Sequence, residues 1–140
     1  MRKITSILVF WSVLPLLARQ PAPVQVEQAR IKMVPAASPA TAAFMTFRNT
    51  STRELKLVQA RFALARTVEL HTMTMVSGKM AMRPVKDIRL PVGQKVELKP
   101  GGLHIMLIGL KKPLIAGETH EIKLEFSDGS TMTIKATVEA

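Results

Sequence analysis

Two histidines and two methionines stand at a spacing that could bind a metal ion. Met82 follows His71 by eleven positions, and the pair His104 and Met106 comes later in the chain. Imidazole and thioether groups are soft, neutral ligands, and such a set suits Cu(I) far better than zinc, magnesium or calcium. The chain has three histidines and no cysteine, so two of its three imidazoles belong to this pattern. The residue types therefore indicate a Cu(I) site.

The second pair of donors is aimed at one point by strand geometry. Side chains at positions i and i+2 of a β-strand point to the same face. In residues 103–107 (LHIML), His104 and Met106 would share one face. The leucines and the isoleucine that alternate with them must then face the core.

The first pair depends on a predicted hairpin whose turn is residues 77–78 (SG). A two-residue turn there brings five side chains to one face of the hairpin, namely His71, Met73, Met75, Met80 and Met82. In this register Met73 is opposite Met82, and His71 is diagonal to Met82 and within reach of its long side chain. A bulge at Gly78 would shift the register by one residue and remove some of them. Met73 is thus an additional candidate ligand, with a hydrophobic rim around the site as its alternative role.

Composition limits the class of protein. The 140 residues suffice for one domain and a targeting segment. Without cysteine, disulfides, thiolate metal sites and cysteine nucleophiles are excluded. Twenty Lys and Arg against 10 Asp and Glu give a formal net charge of +10, which either keeps the surface soluble or steers the domain toward an acidic protein partner. Because the basic residues are scattered and aromatics are few, no nucleic-acid partner is expected.

The N-terminal segment has the form of an export signal. A short basic start precedes a charge-free, strongly apolar stretch of 15 residues, which is short for a bilayer span but fits the hydrophobic region of a signal peptide. We expect residues 1–18 to be a signal peptide cleaved after Ala18, or else an uncleaved anchor that would be the only membrane contact. Residues 19–23 would be a proline-containing linker, and residues 24–140 the folded domain. Both alternatives place that domain outside the cytoplasm.

The folded domain is predicted to be all-β. Short alternating apolar runs between turn residues predict strands near 24–33, 42–49, 54–62, 66–75, 79–90, 94–98, 103–110, 119–126 and 130–138. The clearest hairpin is residues 121–133 (EIKLEFSDGSTMT), which has an Asp-Gly turn. No stretch after the signal has the apolar period of a helix. Regular strand spacing of this kind indicates a β-sandwich.

The donor spacing resembles the signature of periplasmic copper chaperones of the PCu(A)C family. That signature is His, ten residues, Met, twenty-one residues, then His-x-Met, and all four positions match without an insertion. Three further stretches are similar to the family: residues 80–85 (MAMRPV), 100–107 (PGGLHIML) and 110–118 (LKKPLIAGE). The resemblance covers residues 24–138, which is nearly all of the expected mature chain.

The resemblance implies a cupredoxin-like β-sandwich, of antiparallel or mixed Greek-key type, that binds Cu(I) through His71, Met82, His104 and Met106. It implies a periplasmic protein of a Gram-negative bacterium that is not an enzyme and that delivers Cu(I) to the copper centres of cytochrome c oxidase during assembly. The expected partners are the copper ion and an apo-oxidase subunit or another copper-assembly protein. The domain itself is expected to be a monomer.

Other classes of protein fit the residues less well. A blue-copper protein needs a cysteine thiolate, a catalytic zinc site prefers histidine with carboxylate, and a serine hydrolase would show a nucleophile motif. Two alternatives stay open: a metal-free envelope module whose methionine-rich face contacts protein, and a copper-buffering or resistance protein that does not deliver. His120 lies in a charged stretch outside the pattern and is expected on the surface.

Overall fold

The computed structural model describes residues 23–140, and in them it contains ten β-strands and no helix. The predicted signal peptide and most of the predicted linker lie outside the described residues. Within residues 23–140 no helix is long and apolar enough to cross a membrane. The strands are β1 Val24–Lys32, β2 Ala40–Asn49, β3 Leu55–Arg61, β4 Ala65–Val76, β5 Lys79–Pro84, β6 Ile88–Leu90, β7 Lys95–Glu97, β8 His104–Leu110, β9 Thr119–Phe126 and β10 Thr131–Glu139.

These strands form a mixed sheet that encloses a hydrophobic core. The hydrogen-bonded order is β5-β4-β8-β2-β1-β10-β9-β3-β6, and β7 pairs with β2 beside this path. In the described part of the chain, β1 and β10 pair in parallel and the other strand pairs are antiparallel. The predicted all-β class is therefore confirmed. The order also makes β4 and β8, which carry three of the four predicted donors, direct neighbours.

Packing of β8 against the core fixes the direction of its two donor side chains. Its largest fully buried side chains are Phe47, Phe126, Ile31, Met45, Leu57, Ile88, Leu90, Leu98, Ile105, Leu107, Ile122 and Leu124. On β8, Ile105 and Leu107 are 0 % exposed, and Leu103 just before the strand packs against the same core. Since successive side chains of a strand alternate between faces, His104 and Met106 must emerge on the other face, as predicted.

The two predicted hairpins are confirmed. Ser77 and Gly78 both have positive φ, 50° and 77°, which is the conformation of the type I′ turn that matches the twist of a two-residue hairpin. The β4–β5 partners are those predicted, namely Val76 with Lys79, Met75 with Met80, and Met73 with Met82. The Asp128-Gly129 turn likewise joins β9 and β10, with Thr131 opposite Glu125.

The prediction of one strand at residues 79–90 is wrong. β5 ends at Pro84, and after a bend β6 begins at Ile88. The two strands belong to opposite ends of the sheet order, because β5 pairs with β4 and β6 pairs with β3. Proline lacks the N–H that would continue a ladder, and the break was missed because Ile88 and Leu90 have the same parity as Met80 and Met82.

The turn offers a test of the hairpin. Because Gly78 has a φ of 77° and open space around its missing Cβ, alanine there would be strained by backbone conformation alone, at about 1 kcal/mol. Gly78→Ala should therefore raise the amide hydrogen-exchange rates of the β4–β5 tip by about fivefold. Ser77→Gly is the matched control, since it relieves a positive φ and should leave those rates unchanged or lower. Equal rates in Gly78→Ala and the natural protein would contradict the turn assignment.

Candidate metal centre

The two predicted histidine ligands lie side by side on neighbouring strands. In the antiparallel pairing of β4 with β8, His71 is the direct partner of His104. Their ring centroids are 5.7 Å apart and their planes are inclined at 49°. With a metal–nitrogen bond of about 2 Å, two imidazoles can share an ion only if their centroids lie within about 6 Å of each other. The observed separation meets that condition.

His104 is held in a single tautomer. Its Nδ1 lies 2.9 Å from the carbonyl oxygen of Gly102, and because a carbonyl can only accept, Nδ1–H must be the donor. Nε2 therefore keeps its lone pair and is the nitrogen available to a metal. The residue is 4 % exposed, and the ring of Phe44 lies beside it at 6.3 Å between centroids. The imidazole is thus oriented and shielded before any ion arrives.

His71 presents its other nitrogen. Its Nε2 lies 2.7 Å from Oε2 of Glu69, and a carboxylate that accepts from Nε2–H leaves the lone pair on Nδ1. That Nδ1 is buried and has no hydrogen-bond partner among the described residues. A buried polar atom without a partner is costly unless something absent from the protein chain satisfies it. A bound cation would do so.

Glu69 is a functional candidate that the sequence prediction missed. It sits two residues before His71 on the same face of β4, and its register partner on β8 is Met106. A carboxylate that accepts from a ligating histidine fixes the ring and raises its basicity, a recurrent arrangement around metals in proteins. The Glu-x-His spacing in a predicted strand was the available signal, because residues at i and i+2 share a face.

The methionines gather around an open pocket of about 290 Å³. Three of the four predicted ligands line it, His104, Met82 and Met106, and so does Met73. The other lining residues are Lys32, Val34, Ala40, Thr41, Ala42, Phe44, Pro100 and Gly101. His71 is the predicted ligand outside this lining, and its ring is adjacent to that of His104. The structure thus assembles all four predicted residues at one locality, with Met73 among them.

The donors differ strongly in exposure. Met82 is 53 % exposed whereas His104 is 4 % exposed, and Met106 and Met73 are half-buried. In residues 23–140 no group of three or more His, Cys, Asp or Glu side chains is placed to hold a metal ion. The donors at this pocket are imidazoles and thioethers, the soft neutral set that suits Cu(I).

The expectation that His120 lies on the surface is wrong. Its side chain is only 15 % exposed, and its ring meets Phe62 edge-on at 5.9 Å between centroids. The physical reason is strand alternation, since His120 has the same parity on β9 as Ile122, which is fully buried. β9 is not adjacent to β4 or β8 in the sheet, so this histidine belongs to the edge of the core.

Comparison with known proteins identifies the family. The family model described as "Putative lipoprotein LpqE-like" matches residues 24–138. The "Putative lipoprotein Lxx21020" of Leifsonia xyli subsp. xyli (strain CTCB07) is 40 % identical over 117 residues, which are 83 % of this chain and 69 % of the relative.

Solved structures agree with this assignment. The solution structure of CuI-DR1885 from Deinococcus radiodurans is 38 % identical, with a TM-score of 0.66 over 88 % of this chain and 83 % of that one. The copper-bound PCuAC domain from PmoF2 has a TM-score of 0.72 over 85 % of this chain and 94 % of that one, and its 24 % identity supports the fold alone. The expected cupredoxin-like fold is confirmed. The chain belongs to the LpqE-like family, which is the PCu(A)C family.

Proposed function

We propose that this protein is an exported copper chaperone that binds Cu(I) through His71, Met82, His104 and Met106. The observation that carries the proposal is the direct pairing of two imidazoles, with ring centroids 5.7 Å apart, beside a pocket lined by thioethers. The similar structure described as CuI-DR1885, which is 38 % identical, supports copper as the ion. Met73 lines the same pocket and is the candidate for an additional sulfur ligand.

The donor set suits delivery better than storage. Cu(I) keeps a single positive charge among neutral ligands, and as a soft ion it accepts mixed nitrogen and sulfur ligation. The exposed Met82 can be replaced first by a ligand of an approaching partner, while the buried His104 still holds the ion. Exchange would then proceed one ligand at a time, without release of free copper. No bond other than those to the ion changes, and the ion keeps its oxidation state.

The acceptor in this proposal is a copper centre of cytochrome c oxidase during assembly, and the protein acts outside the cytoplasm. The lipoprotein description of the family and of the Leifsonia relative supports export. The test is an anaerobic titration with Cu(I) followed by mixing with an apo copper-binding oxidase domain. We expect one tightly bound ion per chain and its transfer to the acceptor. A protein that retains the ion would be a copper buffer, and one that binds none would be a metal-free interaction module.

The net charge of +10 provides a kinetic prediction. If it steers the domain to an acidic acceptor, the second-order rate of copper transfer should fall about tenfold or more from low to high ionic strength, because salt screens long-range attraction. Stopped-flow transfer at several sodium chloride concentrations measures this. A rate independent of salt would show that the charge serves solubility only.

Glu69 should influence the affinity without touching the ion. Loss of a carboxylate that holds a ligating histidine typically lowers metal affinity 10–100-fold. We therefore expect about that decrease for Glu69→Ala in a chelator competition, and a smaller one for Glu69→Gln, whose amide oxygen can still accept from Nε2–H. Glu121→Ala, an exposed glutamate on β9, is the matched control. Affinities that are equal in all four proteins would remove Glu69 from the site.

A further inference from the structure

The β4–β5 hairpin extends beyond the rest of the sheet. The pairing of β4 with β8 reaches its last register pair at His71 and His104. Its pairing with β5 continues as far as Val76 and Lys79. Residues 72–83 therefore form a two-stranded projection, here called the methionine ribbon after its four methionines, which are Met73, Met75, Met80 and Met82.

The ribbon arranges its thioethers in rows. Met75 is the direct partner of Met80, and Met73 of Met82, on the face that carries His71. Directly opposed side chains have Cβ atoms about 5 Å apart, and rows two residues apart are separated by about 7 Å. Two thioether rows thus lead in even steps to the imidazole pair.

Exposure falls along the β4 side of this path, whereas Met80 and Met82 on β5 are both 53 % exposed. Met75 at the tip is 67 % exposed and Met80 opposite it is 53 % exposed. Met73 in the next row is half-buried and lines the pocket, and His104 beyond it is 4 % exposed. Core packing does not explain why methionines stand at positions 75 and 80, because both side chains are largely in solvent. Two flexible thioethers held opposite each other at the tip have the chemistry of a soft-metal site.

We propose that Met75 and Met80 form a second, weaker Cu(I) site through which the ion reaches and leaves the pocket. The proposal rests on the function proposed above. Two thioethers can hold the ion in a two-coordinate geometry, and its transfer to Met73 and Met82 exchanges one sulfur ligand for another with no change of oxidation state. Lys79 is the register partner of Val76 at the tip, and its positive charge keeps cation binding there weak. Transfer of Cu(I) along the ribbon requires an outer site that binds the ion weakly and an inner site that binds it strongly.

The first test follows the methionine methyl groups by NMR in protein labelled at the methionine ε-carbons, with Ag(I) as a redox-stable soft ion. We expect the first equivalent to shift Met82 and Met106, and further Ag(I) to shift Met75 and Met80. In the double variant Met75→Leu/Met80→Leu, which keeps the apolar bulk without sulfur, the first phase should be unchanged and the second absent. If Ag(I) shifts Met82 and Met106 of the natural protein but never Met75 and Met80, the outer site is overturned and the proposed function is left intact. Absence of any shift would contradict both.

The second test measures the rate at which a strong chelator removes Cu(I) from the loaded protein. The leucine double variant should lose the ion at least about tenfold more slowly, with an equilibrium affinity within about twofold of the natural protein. Met33→Leu is the matched control, because Met33 is also exposed, at 41 %, and lies outside the ribbon. An unchanged removal rate in the double variant would overturn the proposed path.

Discussion

Replacing either His71 or His104 by alanine is expected to lower the Cu(I) affinity more than about 100-fold. Loss of a carboxylate that holds a ligating histidine already lowers metal affinity 10–100-fold. Loss of the ligating histidine itself must lower the affinity further. The two rings face each other across β4 and β8 at 5.7 Å between centroids, and no other histidine of the described residues lies on these strands. No other imidazole on these strands can therefore replace the one that is removed. Competition with a chromophoric Cu(I) chelator under anaerobic conditions measures the change.

The matched control for these variants is His120→Ala. It removes the remaining histidine, which packs against Phe62 on the far side of the sheet order, so the affinity should stay within about twofold. Met82→Ala and Met106→Ala should weaken binding as well, and less so for the exposed Met82 if Met73 can take its place. Affinities of His71→Ala and His104→Ala that equal that of the natural protein would refute the ligand assignment.

Leu107→Ala should lower the free energy of unfolding by about 2–5 kcal/mol, the usual range for leucine removed from a well-packed core. Leu107 is 0 % exposed and lies on the core face of β8, next to Met106 on the opposite face. Urea or guanidinium denaturation of the metal-free protein gives the value. Ile108→Ala is the control, because Ile108 is partly exposed on the face of β8 that carries His104 and Met106 and should cost less than half as much.

Leu107 and Ile108 are neighbours on β8 that point to opposite faces, so comparing the two alanine variants shows which face packs against the core. If Leu107→Ala changed stability by less than about 1 kcal/mol, the assigned core face of β8 would be wrong, and with it the direction of His104 and Met106. At Cu(I) concentrations that saturate the site, part of the lost stability should be recovered, since an ion that binds only the folded state stabilises it by mass action.

Local geometry made part of the site predictable from sequence. The two-residue period of a strand placed His104 and Met106 on one face, and the Ser-Gly turn set the β4–β5 register. Both depend on residues close together in the chain. The pairing of His71 with His104 is different, because it joins strands that are separated in sequence by β5, β6 and β7. No local pattern dictates such a pairing; the family signature implied only that the two residues converge.

The errors have local causes as well. Ile88 and Leu90 share the parity of Met80 and Met82. This agreement hid the end of β5 at Pro84, so two strands at opposite ends of the sheet order were merged. Charged neighbours hid the burial of His120, although its parity with Ile122 indicated the core face. Glu69 went unnoticed because a carboxylate is a poor partner for Cu(I) itself, and the role proposed for it rests on its 2.7 Å contact with His71.

X-ray absorption at the copper edge, on the protein loaded with one equivalent of Cu(I) under reducing conditions, tests the central claim most directly. Two nitrogen and two sulfur scatterers in the first shell, with the multiple-scattering signature of imidazole, are the expected result, and a third sulfur would indicate that Met73 also binds. A first shell of oxygen and nitrogen without sulfur, or copper without imidazole scattering, would contradict the account.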